Sequence, residues 1–96
     1  MIKHVVCYQL HERTKEKAEE VKAMFMSMES KIDVIKKLQV GIDFLRSERS
    51  YDVILEITFE SVEDMNAYQK HPYHLEVVKP FMAQAKKLSV SVDYEF

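Results

Sequence analysis

A single glycine stands in this 96-residue chain. That excludes a glycine-rich phosphate loop and points to mostly regular structure. One cysteine, Cys7, excludes an internal disulfide and suits a reducing cytoplasm. No apolar run approaches the ~20 residues that a membrane-crossing helix needs. The first residues, Met1-Ile2-Lys3-His4, read directly as strand, without the pattern of a signal peptide. An excess of one charge is missing too. The net charge of -2 provides no basic footprint, so neither nucleic acid nor anionic membrane is expected as a partner. A cytoplasmic location is expected instead.

What is present suits one soluble domain, with 47% hydrophobic and 31% charged residues. A chain of this length buries roughly 60–70% of its unfolded surface, enough for a core with little to spare. Residues 2–10 alternate as a strand. Ile2, His4, Val6, Tyr8 and Leu10 share one face, and Lys3, Val5, Cys7 and Gln9 the other. Both faces hold apolar side chains, so cover is expected on both sides. Residues 14–29 read as a helix with Thr14 as N-cap and Ala18, Val21, Phe25 and Met28 as its inner stripe, widened by Met24. A short helical turn is expected at Asp33–Lys37.

Residues 38–45 form the second expected strand, with Leu38, Val40, Ile42 and Phe44 on one face. Gly41 in its middle predicts a bulge or a close approach. After a polar turn at 46–50, residues 51–59 form the clearest strand. Tyr51, Val53, Leu55, Ile57 and Phe59 make its apolar face; Asp52, Ile54, Glu56 and Thr58 make a mixed one. A mixed face of this kind invites a second subunit. Ser61 caps the next helix, whose inner stripe is Val62, Met65 and Tyr68. His71-Pro72 ends it, and Pro72 can open another. Pro80 predicts a kink near Val77 in that helix. Residues 87–95 form the last strand, with Leu88, Val90, Val92 and Tyr94 on one face against Lys87, Ser89, Ser91, Asp93 and Glu95 on the other. The order is β-α-β-β-α-β, an α+β ferredoxin-like arrangement with a four-stranded antiparallel sheet and its helices on one face.

Three polar side chains point into the space between sheet and helices: His4, Tyr68 and His74. Histidine titrates near pH 6.5 and can take and return a proton; a tyrosine hydroxyl can orient it or donate to a developing oxyanion. Together they suit proton abstraction beside a carbonyl. The ligand pocket would be lined by Val6, Tyr8, Phe25, Leu55, Phe81 and Leu88, together with His71. The plain structural alternative is that Tyr68 and His74 bond to each other and tie down the helix junction. His71 and His74 have the look of half a metal site, but Pro72 disturbs their spacing, so no metal is expected. No Ser-His-Asp order or dinucleotide fingerprint is visible, and no cofactor is expected from them. Haem and flavin pockets also sit above ferredoxin-like sheets, so either group stays open at this point.

Several stretches together carry a resemblance. They are Ile2–Val6, Val40-Gly41, the run from Tyr51 to Asp64, Ala-Tyr-x-x-His-Pro-x-His at Ala67–His74, and Val92–Tyr94. Over nearly its whole length the chain resembles the stress-responsive A/B barrel (Dabb) domain family. The resemblance implies a homodimeric α+β barrel in which two sheets pack face to face. Val5, Cys7, Ile54 and Glu56 would then face the partner. The family includes a plant olivetolic acid cyclase, which works without a cofactor. At the pocket positions the resemblance implies His74 as general base, Tyr68 as its assistant and His4 as a supporting residue. Tyr73 stands where family members often carry a small residue, and Met24, Phe25 and Met28 depart from the cyclase wall. Three functions follow as expectations: a dimer that binds a small hydrophobic or carbonyl-bearing molecule, a cofactor-free cyclase or isomerase, and a purely structural stress-protective oligomer.

Overall fold

Two hydroxyl caps start the main helices. Thr14 Oγ1 accepts from the Lys17 N–H at 3.1 Å, and Ser61 Oγ accepts from the Asp64 N–H at 3.1 Å. Each satisfies a donor that the first helical turn leaves without a partner. A computed structural model describes all residues, Met1–Phe96. Strand β1 spans Ile2–Leu10, helix α1 Lys15–Met26 with a 3-10 turn at Ser27–Ser30, β2 Lys37–Ile42 and β3 Val53–Phe59. Helix α2 spans Val62–Lys70, a π-helical turn His74–Val78, α3 Lys79–Ala85 and β4 Lys86–Glu95. The sheet order is β2-β3-β1-β4, antiparallel throughout. The ferredoxin-like arrangement therefore stands.

One sheet face packs on the helices. Ile2, Leu10, Leu55, Ile57 and Phe59 from the strands meet Val21, Phe25, Tyr68, Val78 and Met82 in one buried cluster. No helix is long and apolar enough to cross a membrane.

The last strand is turned over relative to expectation. Register pairs His4 with Asp93, Val6 with Ser91 and Tyr8 with Ser89. Side chains opposite one another share a face. The serines and Asp93 therefore face the helix side, and Leu88, Val90, Val92 and Tyr94 face away with Val5 and Cys7. The reason is position. β4 is an edge strand that no helix covers, and all of its residues are exposed. Its helix side can stay polar, while its apolar side extends the outer face of the sheet.

Smaller departures concern ends and irregularities. β2 stops at Ile42, and Phe44 stands 90% exposed. Residues 31–36 turn without forming a helix. Gly41 carries no bulge: its register with Ile54 is regular. It marks a close approach instead, because a Cβ there would lie 2.9 Å from Ile54 Cγ2. The bulge falls between Gln9 and Leu10. On the other side of β1 the ladder with β3 ends at Tyr8 and Val53, and beyond it the Leu10 N–H donates to Asp52 Oδ2 at 2.8 Å. Asp52 is 6% exposed, and Arg13 Nε reaches both its oxygens at 3.1 and 3.2 Å. Arg13 also donates to the Ser50 carbonyl at 2.9 Å. A buried carboxylate thus ties the end of β1 to the start of β3.

Candidate functional site

The junction after α2 builds the site. Lys70 ends the helix, and His71 takes an extended conformation (φ -64°, ψ 136°), as the residue before a proline prefers. Its Nδ1 accepts from the Tyr73 N–H at 3.0 Å, and its carbonyl accepts from the Leu75 N–H at 3.0 Å. The chain then widens. The Lys79 N–H bonds back to the His74 carbonyl, five residues earlier. Pro80 supplies the cause: it has no N–H to give, and its ring would crowd the carbonyl four residues back. The kink expected near Val77 is realised as this π-helical turn, a form that recurs at functional sites.

The turn sets the His74 ring against Tyr68, with centroids 4.6 Å apart and planes tilted by 53°. Tyr68 is 2% exposed. Its other neighbours are Phe59 at 5.3 Å and His4 at 6.0 Å between ring centroids. His4 Nδ1 bonds to Asp93 Oδ1, a contact made possible by the reversed face of β4. Tyr68 and His74 do not hydrogen-bond to each other. His74 Nδ1 is buried and has no hydrogen-bond partner. Such an atom costs the fold the water it gave up, typically about 1–3 kcal/mol.

Burial lowers the pKa of His74; the Gln69 backbone opposes this, and the charges of Lys79, His4 and His71 reinforce it. Burial pushes the Tyr8 hydroxyl up to about 12 and that of Tyr68 further up, with a smaller contribution from Tyr8. At neutral pH the site therefore holds a neutral imidazole with a free nitrogen beside two protonated phenols. Such a set can accept a proton at His74 and donate a hydrogen bond from Tyr68. The depressed His74 pKa also has a sign. The unfolded chain protonates first as pH falls through 6.5. Stability owed to His74 is therefore complete above that pH and declines below it. Urea titrations between about pH 5 and 7.5 should show this slope, reduced in His74→Gln.

A cavity of about 230 Å³ opens beside these rings, walled by Tyr8, Phe25, Tyr68, His74, Val78, Lys79, Met82, Ala83 and Lys86. Tyr8 and Phe25 pack ring to ring at 5.3 Å on its floor. Several expected lining residues lie elsewhere. Val6 and Leu55 are buried in the core and do not reach the cavity. His71 caps the α2 junction. Phe81 packs on the core under Lys17 Nζ, 5.3 Å from its ring centroid. Leu88 lies on the opposite face of the sheet. Tyr73 is pinned away from the cavity by a 2.6 Å bond between its hydroxyl and Ser27 Oγ. His4 stands behind Tyr68 and does not line the cavity.

Asp93 and Lys79 escaped the sequence reading, which takes Lys86 with Lys87 as a short solvated pair. The one available signal for Asp93 was that a histidine on a buried face needs a polar partner. No group of three or more His, Cys, Asp or Glu side chains is placed to hold a metal ion.

Comparison with known proteins adds the following. No curated protein matches the chain. Among solved structures, a dimeric protein of unknown function with a ferredoxin-like fold from Bacteroides fragilis is 29% identical, with a TM-score of 0.81 over 99% of this chain and 95% of that one. The protein At3g17210 from Arabidopsis thaliana is 27% identical, with a TM-score of 0.83 over 100% and 95%. A hydroxynitrile lyase from Passiflora edulis shares the fold at 19% identity, with a TM-score of 0.79 over 97% and 90%. None of these findings extends to the cyclase likeness. The family model for the stress responsive A/B barrel domain matches residues 2–96. The chain belongs to the stress-responsive A/B barrel (Dabb) domain family.

Proposed function

We propose that the protein is a homodimer whose subunits each bind a small, partly hydrophobic, carbonyl-bearing molecule in the cavity beside His74. One observation carries this reading: a buried His74 Nδ1 without a partner, on the wall of a cavity. A bound carbonyl or hydroxyl would give that nitrogen its missing bond. The structural alternative needs His74 to be a satisfied core group, and its removal would then cost about 1–3 kcal/mol. For His74→Ala the expected loss is below about 1 kcal/mol in urea unfolding, because the nitrogen makes no bond to lose. A loss well inside the larger range would sink the ligand-site reading. The dimer rests on the outer sheet face, where Val5, Cys7, Ile54, Val90 and Val92 lie uncovered by any helix, and on the dimeric description of the Bacteroides fragilis relative. The single cysteine suits a reducing, cytoplasmic setting.

A second reading goes one step further, to cofactor-free proton transfer of the cyclase or isomerase kind. It is favoured by the lowered pKa of His74 beside the protonated Tyr68. His74 would take the proton next to the carbonyl, Tyr68 would hydrogen-bond the enolate oxygen, and His4, held by Asp93, would support Tyr68 from behind. Exchange of α-deuterium from a small labelled ketone tests it. The exchange should be faster with the protein than without, persist below pH 6.5, and fall to background in His74→Ala.

A further inference from the structure

We infer that the cavity selects small organic anions, with Lys79 and Lys86 reading the negative group. This deepens the ligand-site reading above and rests on it. The wall carries charge of one sign only: besides the two lysines, every lining side chain is apolar, a phenol or the neutral His74. Lys79 begins α3 and Lys86 begins β4, so the two frame the cavity from both ends of one helix. Both are exposed, and neither is in an ion pair, whereas Lys17 and Lys36 hold Glu20 and Glu60. Lysine stems commonly lie along apolar walls and leave the ammonium at the mouth. Lys79 acts on His74, whose protonation it disfavours. Asp93 is engaged by His4 and is not part of the wall. A positive mouth over an apolar body with a hydrogen-bonding base at its side fits an amphipathic anion. The headgroup would sit at the lysines, the body against Phe25 and Met82, and an acceptor or carbonyl at His74.

Size narrows the class. The cavity of about 230 Å³ equals about eight water molecules at ~30 Å³ each. A single aromatic ring or short aliphatic chain with one charged head fills it.

The test uses benzoate, phenyl phosphate and benzamide, followed by chemical shifts of the His74 and Tyr68 rings in the full chain. At least one of the two anions should bind about fivefold more tightly than benzamide, the scale expected of two partly exposed charge contacts. The tighter of the two names the headgroup. In the K79Q/K86Q double variant the preference for the anion over benzamide should vanish. Preference for the anion should also shrink as salt rises. Benzamide binding as tightly as both anions, or a double variant that keeps the preference, overturns anion selection and leaves the ligand site standing. No shift at His74 or Tyr68 with any of the three overturns both.

Discussion

Asp52→Ala should destabilise the protein by about 3 kcal/mol, the scale of a buried charged hydrogen-bond acceptor removed from its donors. The Leu10 N–H, past the end of the ladder with β3, loses its acceptor, and Arg13 loses its fork. A small domain melts roughly 4–8 °C lower per kcal/mol, so thermal unfolding should fall by about 12–24 °C. Two companions separate the contributions. Asp52→Asn keeps an acceptor for Leu10 and should cost roughly half as much. Arg13→Gln should cost about 1 kcal/mol or less, because the Arg13 side chain is 43% exposed. If Arg13→Gln is as damaging as Asp52→Ala, the ion pair is the main effect and the account of the Leu10 N–H is wrong.

The second large effect is on assembly. In the proposed homodimer, Val92→Lys should separate the subunits and leave each one folded. Val92 is 63% exposed and lies opposite Val5 on the outer face. A lysine there is solvated in a monomer, so it costs the fold almost nothing. A symmetric sheet-to-sheet interface would bury two copies of it. Stripping water from each costs several kcal/mol, and about 4 kcal/mol in total raises the dissociation constant about a thousandfold. Sedimentation at micromolar concentration should show a dimer for the natural chain and a monomer for the variant, with matching far-ultraviolet circular dichroism. A variant that still sediments as a dimer would move the interface off this face.

Much of the framework was legible in local sequence. Thr14 and Ser61 are caps with a mechanism, His71-Pro72 is a stop with a mechanism, and alternation in β1 and β3 points the right residues inward. The face of β4 was misread for a physical reason. Its sequence alternates apolar and polar, and alternation fixes which residues lie together but not which side meets the helices. Only pairing with β1 decides that, and pairing is not local. From that one inversion follow the misplacement of Leu88 and the omission of Asp93. Asp52 was read as an ordinary member of a mixed face because the point where β1 and β3 stop pairing, which leaves the Leu10 N–H to Asp52, is not a local property of the sequence. Lys79 and Lys86 were passed over because lysines at helix ends are ordinarily solvated. The aromatic group of His4, Tyr68 and His74 was legible because each residue sits at a position that its own element forces inward.

The exposure of β4 has a consequence for how the chain reaches its final form. This strand of ten residues at the C-terminus is held by hydrogen bonds to β1 on one side, and no helix lies over it. Its Leu88, Val90, Val92 and Tyr94 are already about half exposed in an isolated subunit, so less opposes fraying there than in the core strands. In the proposed homodimer its Leu88, Val90, Val92 and Tyr94 would be sealed between sheets. The order of the last tenth of the chain then becomes a function of protein concentration, and association is the closing event of folding rather than a step that follows it.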